Sequence, residues 1–176
     1  MRIAIFNGGP RKNGRTAAVT SSVKKRAEAL GAEVEEHFLH HMGIKGCLTC
    51  GTKSGIENAR IMAREFADCD LAVLASPIYM WRITESLKAF FEILCAVCKD
   101  DDSVEEKLKG KKVAAVLTTD VDDNVAADAI KMIRMLCEHL HMNYSGEYVV
   151  PFADTEKING AECQKEICDF TDKIMR

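Results

Sequence analysis

The hydrophobic positions of the chain form short apolar runs that alternate with longer amphipathic segments. Apolar runs of strand length, bounded by polar or turn residues, predict buried strands, and apolar residues at helical spacing predict amphipathic helices. Five strands are predicted in this way, at residues 2–6, 33–39, 70–76, 112–119 and 143–150. Five helices are predicted around them, at about residues 16–30, 56–67, 83–97, 125–141 and 158–175.

This alternation predicts an α/β fold. Strands that alternate with helices form a parallel sheet with helices on both faces, which is a doubly wound three-layer sandwich. Three of the apolar runs are nearly continuous, as in strands that are covered on both faces. With five strands we expect the flavodoxin-like order 2-1-3-4-5. Because no repeat or linker-like tract interrupts the pattern, we expect residues 1–176 to form a single domain.

Composition and charge narrow the range of partners. The chain is 47% hydrophobic and 29% charged, and 24 Lys and Arg stand against 27 Asp and Glu, for a net charge of −3. Such a chain has no basic field for nucleic acid, so no nucleic-acid partner is expected. No apolar run approaches the length that crosses a membrane, and the first strand begins at Arg2. We therefore expect no membrane segment and a cytoplasmic location.

The charge run "KDDDSVEEKLKGKK" (99–112) joins the third helix to the fourth strand. It is interpreted as a solvated connection with one short helical turn, begun by a capping box of Ser103 and Glu106. Its aspartates lack the alternating spacing and the glycine of a calcium loop.

A glycine-rich and basic segment, "NGGPRKNGRT" (7–16), follows the first strand directly. It holds three glycines and three basic residues, namely Gly8, Gly9, Gly14, Arg11, Lys12 and Arg15. Thr16 would begin the next helix, where its hydroxyl would cap the helix and contact a phosphate oxygen. Because doubly wound sheets bind ligands at the carboxyl ends of their strands, this segment predicts a phosphate site.

Three kinds of phosphate ligand compete for this site. The dinucleotide fingerprint G-x-G-x-x-G is absent, and no acidic residue stands near the end of the second strand to take a ribose hydroxyl. Residues 9–16 have the frame of a nucleotide-triphosphate loop, but Arg15 replaces its lysine and no strand ends in an evident magnesium ligand. A phosphotransferase therefore remains an alternative, and a mononucleotide monophosphate is the third possibility.

Two segments together resemble the NADPH-dependent FMN reductase and flavodoxin-like superfamily: "NGGPRKNGRT" and "ASPIYMWRITESLKAFFE" (75–92). A third, "IKGCLTCG" (44–51), is similar to the iron–sulfur flavoprotein branch. The resemblance implies an FMN-binding oxidoreductase. NADPH or NADH would reduce the flavin, which would pass electrons to a quinone, another flavin or a small electron acceptor. It also implies a homodimer or homotetramer.

The resemblance assigns three loops to FMN. Around the phosphate it places Gly9, Pro10, Arg11, Asn13, Arg15 and Thr16. Beside the ribityl chain and the isoalloxazine it places Ser76, Pro77, Ile78, Tyr79, Met80 and Trp81, and on the other side Thr119 and Asp120. No side chain is assigned a catalytic role, since the flavin carries the chemistry.

The chain departs from the family pattern at each of these loops. Gly9 stands where the family has serine, and Trp81 follows Met80 where the family has an aromatic residue and then glycine. The third loop carries Asp120, which would lower the flavin reduction potential if it faced the ring and would otherwise belong to a solvated turn. These departures motivate an alternative function, a flavodoxin-like binding module that has lost FMN.

Eight cysteines include two CxxC pairs. Cys47 and Cys50 are interpreted as structural or weakly redox-active residues, and they are the redox candidates of the chain. The alternative is an iron–sulfur flavoprotein-like electron carrier with a [4Fe–4S] cluster, or a zinc site shared with nearby histidines, although a cluster needs four thiolates as a rule. Cys95 and Cys98 are predicted to be packing residues, and no metal is predicted.

Overall fold

The computed structural model describes residues 1–44 and 52–176, so Cys47 and Cys50 lie outside the described residues. Five strands form one sheet: β1 (Arg2–Asn7), β2 (Glu33–Phe38), β3 (Leu71–Pro77), β4 (Lys112–Thr118) and β5 (Asn143–Val150). All pairings are parallel, and the order is β2-β1-β3-β4-β5. Each predicted strand is confirmed to within one residue at either end, and the predicted fold class and strand order are confirmed.

Seven helices cover the sheet among the described residues. Their bounds are α1 (Arg15–Ala29), α2 (Lys53–Asp68), α3 (Glu85–Asp100), α4 (Asp102–Leu108), α5 (Ala127–His139), α6 (Thr155–Asn159) and α7 (Ala161–Met175). Short 3-10 turns at Leu39–Met42 and Asp123–Ala126 follow β2 and precede α5. Among the helices that the structure describes, none combines the length and the apolar character that crossing a bilayer requires.

The structure corrects two of the predicted helices. The C-terminal helix is two helices, because Gly160 takes an extended conformation (φ −64°, ψ 146°) that ends α6 and starts α7. The charge run forms two turns of helix rather than one, and Asp101 is its N-cap: the Asp101 carboxylate accepts the Ser103 N–H. The predicted capping box of Ser103 and Glu106 is therefore wrong, because an aspartate two positions earlier satisfies the open helix end.

The core has two halves, one on each face of the sheet. On one face α2, α3, α4 and α5 pack on side chains such as Phe6, Leu74 and Leu117. On the other face α1, α6 and α7 pack on their strand neighbours, such as Ile5 and Val116. Successive side chains of a strand point to opposite faces, so a continuously apolar strand supplies both halves at once. The sheet is therefore a rigid base for the loops at its carboxyl edge.

Candidate functional site

The site lies at the carboxyl ends of β1 and β3. The chain leaves β1 for β2 on one side and returns to β3 on the other, so the two following loops diverge and leave a crevice between them. The Gly8 N–H donates to the carbonyl of Ala75 (2.8 Å), which fixes the first loop to the end of β3. The Ser86 hydroxyl donates to the Gly8 carbonyl (3.2 Å) and fixes the same loop to α3.

Gly8 is required by close approach rather than by its backbone angles. A Cβ at this position would lie 2.3 Å from Thr84 Oγ1 and 2.9 Å from Leu87 Cβ. The first loop can therefore pack directly on the start of α3 only because residue 8 has no side chain.

Asn7, at the end of β1, organises the first loop from beneath. It is fully buried, and its Oδ1 accepts the Gly9 N–H (2.8 Å). Its Nδ2 donates to the Glu36 carboxylate (2.9 Å), which also accepts the Thr20 hydroxyl (2.6 Å). The Gly9 amide is thus already used inside the protein, so it is not a free donor in the first loop.

A pocket opens between the first loop and the ends of β3 and β4, with about 400 Å³ of empty space including its mouth. Ten of the predicted residues line it: Gly9, Pro10, Arg11, Arg15, Thr16, Pro77, Ile78, Tyr79, Thr119 and Asp120. Gly14, Thr118 and Ala153 complete the lining. The structure thus brings all three predicted loops to one cavity.

The N-terminus of α1 opens into this pocket. Gly14 is the N-cap and has no side chain to accept the first N–H groups, and the helix runs for 15 residues behind it. The predicted capping role of Thr16 is wrong, because Thr16 lies within the first turn and its hydroxyl instead contacts Thr118 Oγ1 (2.7 Å). An uncapped helix start presents free donors and partial positive charge, which is what an anion requires.

The basic residues of the first loop point in different directions. Arg11 lines the pocket and has no ion pair among the described residues. Lys12 lies over the Phe38 ring (5.8 Å), away from the pocket. Arg15 forms an ion pair with Asp120 and donates to the Ala153 carbonyl (2.7 Å). Of the three cations, Arg11 is therefore the one placed to meet an anion without giving up a partner.

A second, apolar cavity adjoins the first and shares its residues Ile78, Tyr79, Thr119 and Asp120. We call it the apolar shelf; Met80, Trp81, Val121 and Val125 complete it. The side chains of Met80 and Trp81 are 79% and 54% exposed, which is unusual for residues of this size and polarity.

The turn that carries Met80 and Trp81 is strained. Tyr79 and Arg82 exchange two backbone hydrogen bonds (2.9 and 3.0 Å), and both residues between them have positive φ, 48° and 63°. Such a turn favours glycine or asparagine, and non-glycine residues adopt it at a cost. Arg82 ties the turn to α5 through Asp128 (2.5 Å).

Two predicted residues lie outside both cavities. Ser76 is fully buried, and its hydroxyl donates to the Pro77 carbonyl (2.8 Å) and accepts the Thr84 N–H (3.0 Å). It shapes the turn after β3 from within. Asn13 lies in the first loop but is not among the residues that line the pocket.

Three residues of the site were missed by the sequence interpretation: Asn7, Glu36 and Ala153. Asn7 directly follows the first predicted strand and Glu36 lies within the second, and only their polar side chains signal a role. Ala153 contributes a backbone carbonyl from the β5–α6 connection, and no sequence signal could have indicated that contact.

The second cysteine pair behaves as predicted. Cys98 is buried in the core and Cys95 packs against it. Burial raises the pKa of the Cys98 thiol to about 11 and raises that of Cys95 as well. Both are therefore protonated thiols near neutral pH, which confirms that they are packing residues.

The fold and the site together define a flavodoxin-like protein with a pocket at its topological switch point. Residues 1–156 match the NADPH-dependent FMN reductase family, and the chain belongs to this family. This confirms the resemblance found in the sequence.

Individual relatives agree with this placement. An iron–sulfur flavoprotein from Archaeoglobus fulgidus is 28% identical over 101 residues, which are 52% of this chain and 44% of that protein. The match thus spans less than half the length of this curated relative.

Solved structures support the fold. An FMN-dependent NADH-azoreductase from Bacillus anthracis superposes with a TM-score of 0.76 at 12% identity, over all of both chains. The flavodoxin of Megasphaera elsdenii superposes with a TM-score of 0.62 at 18% identity, over 98% of this chain and 99% of that one.

Proposed function

We propose that the pocket holds the phosphate of FMN and that the apolar shelf holds its isoalloxazine. The observation that carries this proposal is the uncapped start of α1, which opens into the pocket beside Arg11 and the Thr16 hydroxyl. The donor set fits a phosphate monoester, since it combines backbone N–H groups, the Thr16 hydroxyl and the Arg11 guanidinium, which has no ion-pair partner among residues 1–44 and 52–176.

The two cavities differ in the way that a flavin mononucleotide requires. The phosphate end is polar and basic, whereas the shelf presents Ile78, Met80 and Val121 to a flat apolar ring. Pro77 and Tyr79 lie where the ribityl chain would pass from one cavity to the other. When bound, FMN supplies the acceptance of hydride from NAD(P)H and the delivery of two electrons to the acceptor.

The protein's own residues then bind, orient and shield the cofactor. The helix start and Arg11 fix the phosphate, and the turn after β3 limits the position of the ring edge. The apolar side chains of the shelf reduce contact between the ring and water. As expected for such a site, no side chain in the described parts of the pocket is needed as an acid or a base.

The acceptor enters from the exposed side of the shelf in this proposal. A small electron acceptor, such as a quinone or another flavin, matches the apolar surface of Met80 and Trp81. We further propose that the chain folds as one domain, works in the cytoplasm and forms a homodimer or homotetramer. The exposed apolar side chains of the shelf are consistent with a subunit contact there.

The first test is retention of FMN. Protein purified without oxygen is mixed with FMN, freed of excess ligand, and examined by visible absorption and by oxidation of NADPH and NADH. We expect persistent flavin bands and flavin-dependent oxidation of the nucleotide. Arg11→Gln should reduce retention by about ten-fold or more, because a charge-assisted contact is lost.

The matched control is Lys12→Gln. It removes the same charge from the neighbouring position, but Lys12 lies over Phe38 rather than in the pocket. Equal losses in both variants would contradict the assignment of Arg11 and would indicate a general charge effect. A colourless wild-type protein that does not retain added FMN would contradict the proposed function and would favour a binding module that has lost FMN.

The role of Cys47 and Cys50 stays a prediction, because both residues lie outside the described residues. An electron carrier with an iron–sulfur cluster remains the second candidate, favoured by the similarity to the Archaeoglobus fulgidus protein. A broad shoulder beside the flavin bands, with matching iron and sulfide, would support it.

A further inference from the structure

One acidic side chain lies in a pocket built for an anion. Asp120 is part of the pocket lining, and its carboxylate pairs with the Arg15 guanidinium. The other aspartates of the third loop, Asp122 and Asp123, do not line the pocket. Asp120 is therefore the acid of this loop that an incoming phosphate must meet.

Hydrogen bonds from two segments hold the Arg15–Asp120 ion pair in place. Arg15 also donates to the buried Ala153 carbonyl (2.7 Å), and Ala153 donates its own N–H to the Thr119 carbonyl (2.8 Å). Phe152 donates to the Val121 carbonyl (3.1 Å) in the same way. The third loop and the β5–α6 connection are thus joined by backbone hydrogen bonds, and Arg15 fastens both of them to the first turn of α1.

The pair changes the charge that the pocket offers to a ligand. Arg11 and Arg15 bring two positive charges, and Asp120 cancels one of them. A phosphate that draws on Arg15 must compete with a carboxylate already in contact with it. A phosphate that leaves the ion pair intact gains only Arg11 and the start of α1, and it lies near an extra negative charge.

We propose that Asp120 sets the affinity of the pocket for a phosphate monoester dianion, by neutralising Arg15 and by repelling the ligand. This inference rests on the proposed function, since FMN is the ligand that the pocket is proposed to hold. It makes Asp120 a specificity-determining residue. The carboxylate also borders the apolar shelf, but its charge repels a phosphate dianion far more strongly than an uncharged flavin ring, so it penalises the phosphorylated flavin.

The test compares FMN with riboflavin, which has the same ring and no phosphate. Dissociation constants for both are measured by quenching of flavin fluorescence in wild type, in Asp120→Asn and in Asp123→Asn. Removing one negative charge beside a dianion should tighten FMN binding by about ten-fold and leave riboflavin binding unchanged. The gain should shrink at high salt, since the pair and the ligand are partly exposed.

Asp123→Asn is the matched control, because it removes the same charge from the same loop outside the pocket. The inference is overturned if Asp120→Asn binds FMN no more tightly than wild type, or if FMN and riboflavin gain equally. Equal gains would mean that Asp120 acts on the ring or the loop rather than on the phosphate.

Inorganic phosphate separates this inference from the proposed function. If neither protein binds either flavin, the proposed function fails, and the phosphate-dependent rise in Tm still decides the role of Asp120. A larger rise in Asp120→Asn than in wild type would support the inference, and equal rises would overturn it.

Discussion

The two cavities of the site are built in opposite ways. The phosphate pocket rests on buried groups: Asn7 is fully enclosed, Gly8 packs on Thr84, and Thr16 contacts Thr118. The apolar shelf is formed by exposed side chains on a strained turn, tied to α5 by a surface ion pair. If FMN binds as proposed, the core therefore supports the phosphate end of the ligand, and the reacting ring lies against residues that the core hardly constrains.

The largest effect is expected from a substitution in the buried residues that support the phosphate pocket. Gly8→Ala places a Cβ 2.3 Å from Thr84 Oγ1, so the first loop must move away from α3. We expect the free energy of unfolding to fall by about 3 kcal/mol and FMN retention to be lost. Chemical denaturation and a binding titration measure the two effects.

A second substitution checks the cause. Thr84→Ala removes the nearest atom, and the Thr84 hydroxyl makes no capping bond to α3. The double variant Gly8→Ala/Thr84→Ala should recover part of the lost stability. No recovery would mean that the contact with Leu87, 2.9 Å from the same Cβ, is the decisive one.

A somewhat smaller effect is expected at Asn7. Asn7→Ala leaves the buried Gly9 N–H without its acceptor and leaves the Glu36 carboxylate with the Thr20 hydroxyl but without the Asn7 amide. The free energy of unfolding should fall by about 2 kcal/mol, and FMN binding should weaken because the first loop loses its support. Asn143→Ala removes an exposed hydrogen bond to Gly110 (3.1 Å) and should cost less than about 0.5 kcal/mol. Similar losses in both variants would contradict the claim that the pocket depends on buried support.

A glycine in the strained turn should raise the stability of the protein instead of lowering it. Met80→Gly relieves a positive φ of 48° in a side chain that is 79% exposed, so stability should rise by about 1 kcal/mol. His141→Gly is the control, because His141 has a φ of 54° far along the chain, just after α5. Both variants should be stabilised alike, but only Met80→Gly should raise KM for an apolar acceptor. A destabilised Met80→Gly would show that Met80 packs rather than binds.

The smallest effect concerns the ion pair of the shelf. Arg82 donates to Asp128 and lowers the pKa of that carboxyl below its usual value. A carboxyl with a lowered pKa stabilises the fold above its ordinary pKa, and this contribution is lost as the pH falls through the folded-state pKa. Both side chains are more than half exposed, so Asp128→Asn should hardly change Tm at neutral pH. A marked fall in Tm at neutral pH would show that the turn is held more firmly than its exposure indicates.

The strands and the fold class could be predicted from the sequence because each strand is long enough to show its hydrophobic pattern. "LAVLA" (71–75) within β3 is apolar throughout, as expected for a strand that is buried on both faces. The C-terminal helix was mispredicted because helical spacing continues across Gly160, and only the backbone angles there show the break. Capping was mispredicted for α1 because the sequence "GRT" permits a start at either Gly14 or Thr16.

Residues of the candidate site could be predicted where their position in the first loop alone places them in the pocket. They could not be predicted where their placement depends on partners that are distant in the sequence. Arg11 could be placed in the pocket from its position after β1. The pairing of Arg15 with Asp120 and Ala153 could not, because both partners lie more than a hundred residues after Arg15 in the chain. Likewise, no sequence signal indicated that Lys12 lies over Phe38.

Trp81 is the single tryptophan of the chain, and it stands half exposed on the shelf. The tryptophan emission of the protein therefore comes from one indole, which borders the shelf where the isoalloxazine is proposed to lie. A flavin on the shelf would absorb that emission, and a denaturant that opened the shelf would shift it. The molecule thus carries its own optical probe, which can report cofactor exchange in unlabelled protein at the place where the chemistry is proposed to occur.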